Sequence, residues 1–500
     1  MTSQRSALSC ALVVAAATAS LLSPTATAAP SSAPTASPAN TASGSTEDFD
    51  GDGFRDIAIG APSAQVGQAR QAGQITVLYG SQSGAVTSRQ QTLHQDSPGI
   101  PGDAEAGDRF GQRLTTGDLD NDGYTDLIVG APGEDYFPPH DHNQGALAVI
   151  WGSAEGLTGE ATPIDGAFIG ARFGEQLATG DFDADGDTDL VVNNGTNGLR
   201  QLSGPFLRNG TSAGMKLVGG SQNTMYVDIA SGDLNGDGLA DLVTTTYTPL
   251  GQYNDGRSVL YALGTPQGLP LYPTPVINGF GNHVPGGDAV AVGDIDNDGK
   301  DEIVIGRGRE ALNDSTVPPG AVGGMISYVP GSAQGPRGDL VQNINLANSG
   351  LTFQPGDGLG SGISVGDIDG DGYGDVTAGV PGEDLPGVAG ADQGSVVTLK
   401  GRSFGLNGIG ARKFTQDTVG VPGEAESGDG FGRTTRLLDT DGDGKAELFV
   451  GVPAEGAGAG GVWVLDGTAT GASAQGSVTF GPDAVGIPAD SAGFGAGFTD

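Results

Sequence analysis

The chain has 500 residues, of which 91 are Gly and only 16% are charged. So much Gly argues against a helix-rich enzyme, because each Gly weakens a helix interior by about 1 kcal/mol; it suits many short strands joined by tight turns. A formal net charge of −38 argues against a surface built to bind nucleic acid phosphates or anionic membranes.

At the N-terminus, Arg5 is the only charged residue before Glu47, and an apolar run from Ala7 to Leu22 follows it. Ala26-Thr27-Ala28 supplies small residues at a cleavage position, so residues 1–28 are expected to be a secretory signal peptide. The apolar core is shorter than the ~20 residues of a spanning helix. The single cysteine, Cys10, lies inside this segment. The mature chain would then hold no thiol and no disulfide, and its stability must come from packing and metal. Residues 29–45 are a Pro/Ala/Ser/Thr stretch that cannot bury enough apolar surface to fold, and are expected to be a disordered linker.

From Asp48 onward a nine-residue pattern, acid-x-acid-x-acid-Gly-x-x-acid, recurs seven times at intervals of 52 to 73 residues. The copies are DFDGDGFRD, DLDNDGYTD, DFDADGDTD, DLNGDGLAD, DIDNDGKDE, DIDGDGYGD and DTDGDGKAE. Such periodicity marks a repeat array rather than the three domains that length alone suggests. The pattern is that of a calcium loop, because Ca²⁺ takes six to eight oxygen ligands. Side chains 1, 3 and 5 point inward, residue 7 offers a carbonyl and residue 9 a carboxylate. The candidate ligands are Asp48, Asp50, Asp52, Phe54 and Asp56 in the first loop, and Asp118, Asp120, Asp122, Tyr124 and Asp126 in the second. The third has Asp181, Asp183, Asp185, Asp187 and Asp189; the fourth Asp233, Asn235, Asp237, Leu239 and Asp241. The fifth has Asp294, Asp296, Asp298, Lys300 and Glu302; the sixth Asp367, Asp369, Asp371, Tyr373 and Asp375; the seventh Asp439, Asp441, Asp443, Lys445 and Glu447. Position 6 is always Gly, which fits a turn of positive φ. Up to seven Ca²⁺ are expected, bound most weakly in the fourth loop, where Asn235 replaces an Asp. The absence of Cys and His from the pattern disfavours transition metals.

An EF-hand would need an acid at position 12 and flanking helices. Position 12 here is apolar, as at Ile59 and Val129, and the flanks are short apolar runs such as IAIGAP after Asp56 and LIVGAP after Asp126. Runs of this length ending in Gly suit buried strands. A second glycine-bounded strand follows in each repeat, as in GQITVLYGS from Gly73 and GSVVTLKG from Gly394.

Phe-Gly before the loop and Gly-Ala-Pro after it resemble the FG-GAP repeat of integrin α-chains and related bacterial proteins. Phe110-Gly111, Phe173-Gly174 and Phe431-Gly432 match the first element. Gly60-Ala61-Pro62 and Gly130-Ala131-Pro132 match the second, with Val in place of Ala in Gly379-Val380-Pro381 and Gly451-Val452-Pro453. The resemblance covers residues 46–500 and implies an all-β fold, a seven-bladed β-propeller of integrin α type with a calcium loop in each blade. Blades 4 and 5 lack Phe-Gly, and blades 3, 4 and 5 lack Gly-Ala-Pro. The first loop has no Phe-Gly strand before it, whereas Phe494-Gly495 has no loop after it. The C-terminal strand is therefore expected to complete blade 1 and close the ring.

Little else points to chemistry, and no catalytic residue is expected. Gly210-Thr211-Ser212-Ala213-Gly214 fits the nucleophile-elbow pattern, but without its strand and helix context it reads as a turn. His140 and His142 read as an exposed loop, and Arg337-Gly338-Asp339 as a chance tripeptide. Asn194, Asn209 and Asn313 begin glycosylation sequons. The sequence thus reads as a secreted, extracellular or loosely cell-wall-associated bacterial protein. It is expected to be monomeric, with no membrane span, and to bind an extracellular protein or glycan through blade loops such as Glu134–Asn143 and Arg307–Gly320. The alternative is an extracellular hydrolase working in the propeller channel.

Overall fold

The computed structural model describes residues 47–499 apart from 86–88, 136–142, 167–169, 196–197, 221–223, 249–255 and 310–321. The expected signal peptide and linker, Cys10, the His140/His142 pair, Asn313 and most of both long insertions lie outside the described residues.

The strands pair into seven four-stranded antiparallel sheets. Blades 2 to 7 each take four strands consecutive in the chain. Their innermost strands are Arg113–Gly117, Leu177–Gly180, Met225–Gly232, Ala289–Gly293, Ile363–Gly366 and Thr434–Leu438. Blade 1 borrows its innermost strand from the C-terminus: Gly497–Phe498 pairs with Ile57–Ala61, placing Phe498 opposite Ile59 and Gly497 opposite Gly60. This strand also touches the innermost strands of blades 2 and 7. The expected seven-bladed propeller, closed by the last strand, is therefore what the chain forms.

The second strands, such as Ile57–Ala61, Asp126–Ala131 and Glu447–Val452, are buried along their whole length. Blades stacked face to face bury both sides of a sheet, hence continuous apolar runs rather than alternation. The core accordingly lies between blades. Phe49, Ile75 and Val77 of blade 1 pack on Phe110, Leu114 and Val129 of blade 2. Ile57, Ile59 and Leu78 of blade 1 pack on Phe449, Val462 and Val464 of blade 7, with Phe494 and Phe498 from the closing segment.

The stacking gives the Phe-Gly and Gly-Ala-Pro words a physical meaning. Phe110, Phe173, Phe431 and Phe494 are buried between blades. A Cβ on Gly60 would stand 2.2 Å from the carbonyl oxygen of Gly111, one on Gly379 1.7 Å from that of Gly432, and one on Gly451 2.1 Å from that of Gly495. A methyl group cannot fit there, so two glycines let neighbouring blades meet backbone to backbone. Blade 5 makes the same contact without the full words: a Cβ on Gly306 would stand 2.1 Å from the carbonyl oxygen of Gly360, beside buried Leu359 in the Phe place. In blade 3 Asn193 stands in the Gly place, and its Oδ1 accepts from the amides of Glu175 at 2.8 Å and Gln176 at 3.0 Å within the same blade.

Candidate metal centres at one end of the propeller

Each acidic loop leads into the second strand of its blade, and in blades 2 to 7 it joins that strand to the innermost one, so all seven lie at the same end of the propeller. One hydrogen-bond scheme recurs. The position 1 carboxylate accepts from the amide of the position 6 Gly: Gly53 to Asp48 at 2.9 Å, Gly123 to Asp118 at 3.0 Å, Gly372 to Asp367 at 2.7 Å, and likewise in the other four loops. That Gly has positive φ throughout, from 80° to 93°, a region costly for any residue with a Cβ. The position 5 Asp accepts from the amide of residue 7, as for Phe54 to Asp52 and Leu239 to Asp237, both at 3.0 Å.

The position 9 carboxylate begins or directly precedes the second strand and is buried in every loop. It accepts from the amide of residue 2, and in six blades also from a Gly one or two residues past the third strand; for Asp126 these are Leu119 and Gly152, at 2.8 and 2.9 Å. Burial pushes the carboxyls of Asp56, Asp126 and Glu302 up to about 8, and those of Asp189, Asp241, Asp375 and Glu447 to about 7, against the pull of these hydrogen bonds. The other loop carboxylates add to the rise. A cation among them would remove that cost, since an opposite charge within a few ångströms favours the ionised form.

At position 3, Asp120, Asp183, Asp296 and Asp369 each keep one buried oxygen, Oδ1, with no hydrogen-bond partner. Buried carboxylate oxygens are almost always satisfied, and these belong to groups of three acids with ligand atoms within 4.8 Å of one another, such as Asp118, Asp120 and Asp122. All-oxygen donors of this kind suit a hard divalent cation. The residues present therefore fit the expected ion.

Several loops also carry a basic side chain, which sequence reading did not place. Arg208, stacked on Trp151 with its guanidinium 5.2 Å from the ring, reaches Asp120 at 2.6 Å and Asp122 at 2.7 Å. Arg89 pairs with Asp50, and Lys400 with Asp369 and, at 2.9 Å, Asp371. Arg208 and Lys400 engage Oδ2 of the position 3 Asp, leaving Oδ1 to the interior of the loop. They are distant in sequence from the acids they meet, so spacing could not reveal them. In the fourth loop the Asn235 amide donates to Asp237 at 3.0 Å, a bond an Asp could not make.

The remaining sequence candidates are scattered. Arg337 Nε and Nη2 donate to the two oxygens of Asp339, both at 2.8 Å, so the two exposed side chains of the tripeptide close on each other over buried Gly338. Residues 210–213 are irregular backbone after a turn over 207–210 and lead into the strand Gly214–Val218. Asn194 is buried, whereas Asn209 is exposed. At the opposite end from the loops, the mouth of the central channel is a cavity of about 920 Å³ that gathers Asp288, Asp392, Asp429, Arg309 and Arg433. No local motif announces this set, because its members come from different blades. Asp288 is held by Arg257 at 2.9 Å, and Asp429 accepts from the amide of Glu426 at 2.7 Å.

Seven four-stranded blades, each with an acidic loop, define a seven-bladed β-propeller. Residues 40–78, 110–150, 173–214, 225–261, 286–322, 359–399 and 431–465 match the FG-GAP repeat, more than half of the chain, and the chain belongs to the FG-GAP repeat family. It is similar to Integrin alpha-PS5 of Drosophila melanogaster, 31% identical over 155 residues, 29% of this chain and 14% of the relative. Integrin alpha-V of Gallus gallus is 28% identical over 180 residues, 34% of this chain and 15% of the relative. Phosphatidylinositol-glycan-specific phospholipase D of Homo sapiens is 37% identical over 103 residues, 19% and 12% of the two chains. The chain thus spans 12 to 15% of the length of these curated relatives. Among solved structures, the rhamnogalacturonan lyase YesW aligns over 85% of this chain and 70% of its own, with 13% identity and a TM-score of 0.39. No helix among the described residues is long and apolar enough to cross a membrane.

Proposed function

We propose that this protein is a secreted, calcium-dependent binding module, and not an enzyme, that engages an extracellular protein or glycan. The calcium part is carried by the buried, unpartnered carboxylate oxygens of Asp120, Asp183, Asp296 and Asp369 inside loops that share one geometry. In each loop the side chains at positions 1, 3, 5 and 9 and the carbonyl of residue 7 would hold the ion. Bound Ca²⁺ supplies positive charge that holds four crowded carboxylates together and fixes the turn between two strands. The likeness to integrin α-chains supports the binding part. Sites in extracellular modules typically bind calcium at about 10⁻⁴–10⁻³ M, which suits a protein exported into a calcium-rich medium.

The test is partner capture by purified mature protein, immobilised and exposed to cell-wall material and a glycan panel in millimolar calcium and again in EGTA. Retention of a defined ligand in calcium alone is the expected result. No retention in either condition by folded protein would overturn the binding reading and direct attention to hydrolysis at the channel mouth. Calorimetric titration of the metal-free chain with calcium tests the loops separately, and finding no saturable sites would overturn the calcium reading whatever the capture result.

A further inference from the structure

The acidic loops leave some buried carboxylates unexplained. At the opposite end of the propeller, blades 2, 6 and 7 each place a Glu three residues beyond the second strand: Glu134, Glu383 and Glu455. The turns of blades 2 and 6 are alike, with the Glu134 amide donating to Ala131 and the Glu383 amide to Val380, both at 3.2 Å. Strand register fixes the neighbours of each acid. Ala131 pairs with Ala146, and Ala148 with Pro163, in blade 2; Val380 pairs with Ser395, and Val397 with Lys413, in blade 6. Ala146 and Pro163 therefore hold the places of Ser395 and Lys413.

In blade 6 both places serve the acid. Lys413 Nζ forms an ion pair with Glu383 Oε1, and Ser395 Oγ donates to Oε2 at 2.5 Å. In blade 7 the corresponding space is taken by Trp463, whose indole donates to Pro422 at 2.7 Å, while Glu455 accepts from Gln416 at 2.9 Å. Among the described residues of blade 2 neither filling is present. A cavity of about 170 Å³ remains, lined by Glu134, Gln95 and Asp165 and walled by Phe110, Leu147 and Pro163. Glu134, 5% exposed, accepts from Gln95 Nε2. Gln95, 4% exposed, keeps its Oε1 without a partner. Among the described residues, the charged groups that act most on Glu134 are acidic: Glu105, Asp135 and Asp165, with Asp108 beside them.

We propose that this cavity receives the ammonium of a lysine side chain presented by a partner protein, with Glu134 as counter-ion and Gln95 Oε1 as a second acceptor. Blade 6 displays the same seat filled from within by Lys413. The apolar walls suit a methylene stem whose charged end reaches an acid. The ring hydroxyls of an amino sugar would lose their water against those walls without new partners. A calcium ion would need more oxygens than the lining offers. The inference does not depend on calcium occupancy of the loops.

The experiment is a titration of the full mature chain, in saturating calcium, with Nα-acetyl-lysine amide, its Nε-acetylated form and glucosamine, followed by NMR or calorimetry. Saturable binding of the lysine amide alone is expected. Glu134→Gln should weaken it by about tenfold or more, the loss of one buried charge pair. The double variant Ala146→Ser with Pro163→Lys, which copies the blade 6 filling, should abolish binding at an unchanged melting temperature. An affinity that Glu134→Gln leaves unchanged, equal binding of the Nε-acetylated form, tighter binding of glucosamine, or no saturation by the lysine amide would each overturn the proposal.

Discussion

Truncating one aromatic residue tests whether the ring depends on its last segment. Phe494 is fully buried, with its ring centroid 6.0 Å from that of Phe480, and packs in one cluster with Ile57 and Ile59 of blade 1 and Phe449 of blade 7. The next segment, Gly497–Phe498, supplies the inner edge of blade 1. Phe494→Ala removes a side chain that ties the first and last blades together, and should cost about 3–5 kcal/mol, as for other buried Phe truncations. That is a large share of the ~5–15 kcal/mol that separates folded from unfolded states. Phe404, 64% exposed, is the control; Phe404→Ala should stay within about 0.5 kcal/mol of the parent. Urea unfolding at fixed calcium, followed by the fluorescence of Trp151 and Trp463, reads both variants. If Phe494→Ala unfolds at the same midpoint as Phe404→Ala, the closing segment is not holding the ring. Deleting residues 491–500 also removes Phe498 and bares the edge of Ile57–Ala61, so that variant should aggregate or lose cooperative unfolding.

Further tests address the other contacts. Gly379→Ala, where a Cβ would lie 1.7 Å from the Gly432 carbonyl oxygen, should destabilise by about 1–3 kcal/mol or more, whereas Gly481→Ala, with 3.6 Å to its nearest neighbour, should be close to neutral in the same urea assay. Removing calcium with EGTA should lower the melting temperature, because an ion bound to the folded state at 100 times its Kd contributes about 2.7 kcal/mol per site; an unchanged temperature would contradict the calcium reading. Asn235→Asp should raise the calcium affinity of the fourth loop, seen in calorimetry as one more tight site. Burial pushes the Asp108 carboxyl up to about 8, so between about pH 4 and 8 the folded state binds the extra proton and this group's contribution to stability falls as pH rises. Asp108→Asn should therefore gain stability relative to the parent on going from pH 5 to pH 8, and a difference independent of pH would refute that account.

The repeat, the strands around each acidic loop and the closure of the ring were all legible in the sequence. Apolar runs ending in Gly, such as IAIGAP and LFVGVP, carry their own pattern, and the surplus Phe494-Gly495 at the end of the chain answers the missing strand at its beginning. The loops were legible for the same reason, since positions 1 to 9 fold onto themselves. What sequence could not show depends on neighbours far along the chain. Gly306 meets Gly360 of the next blade without the consensus words, Arg208 reaches Asp120 across 88 positions, and the channel mouth draws charges from several blades. Asn193 fills a Gly place with hydrogen bonds of its own, which no word-matching reading would anticipate.

The two ends of the propeller use their acids differently. At the loop end, the position 9 carboxylate is tied to the backbone of its own loop and of the segment after the third strand, and positions 1 and 5 are occupied in part by the loop's own amides. Arg208, Arg89 and Lys400 take further oxygens in three of the loops, and protonation or a bound cation would relieve the repulsion that remains, which makes these acids part of the frame. At the other end, Glu383 has its cation built in, Glu455 is satisfied beside Trp463, and Glu134 faces a cavity walled by apolar side chains. A repeat fold can vary a position in one blade while the others keep the ring intact, because each blade contacts only its neighbours. The blade that departs from its relatives at such a position, here blade 2, is where a function distinct from stability is to be sought.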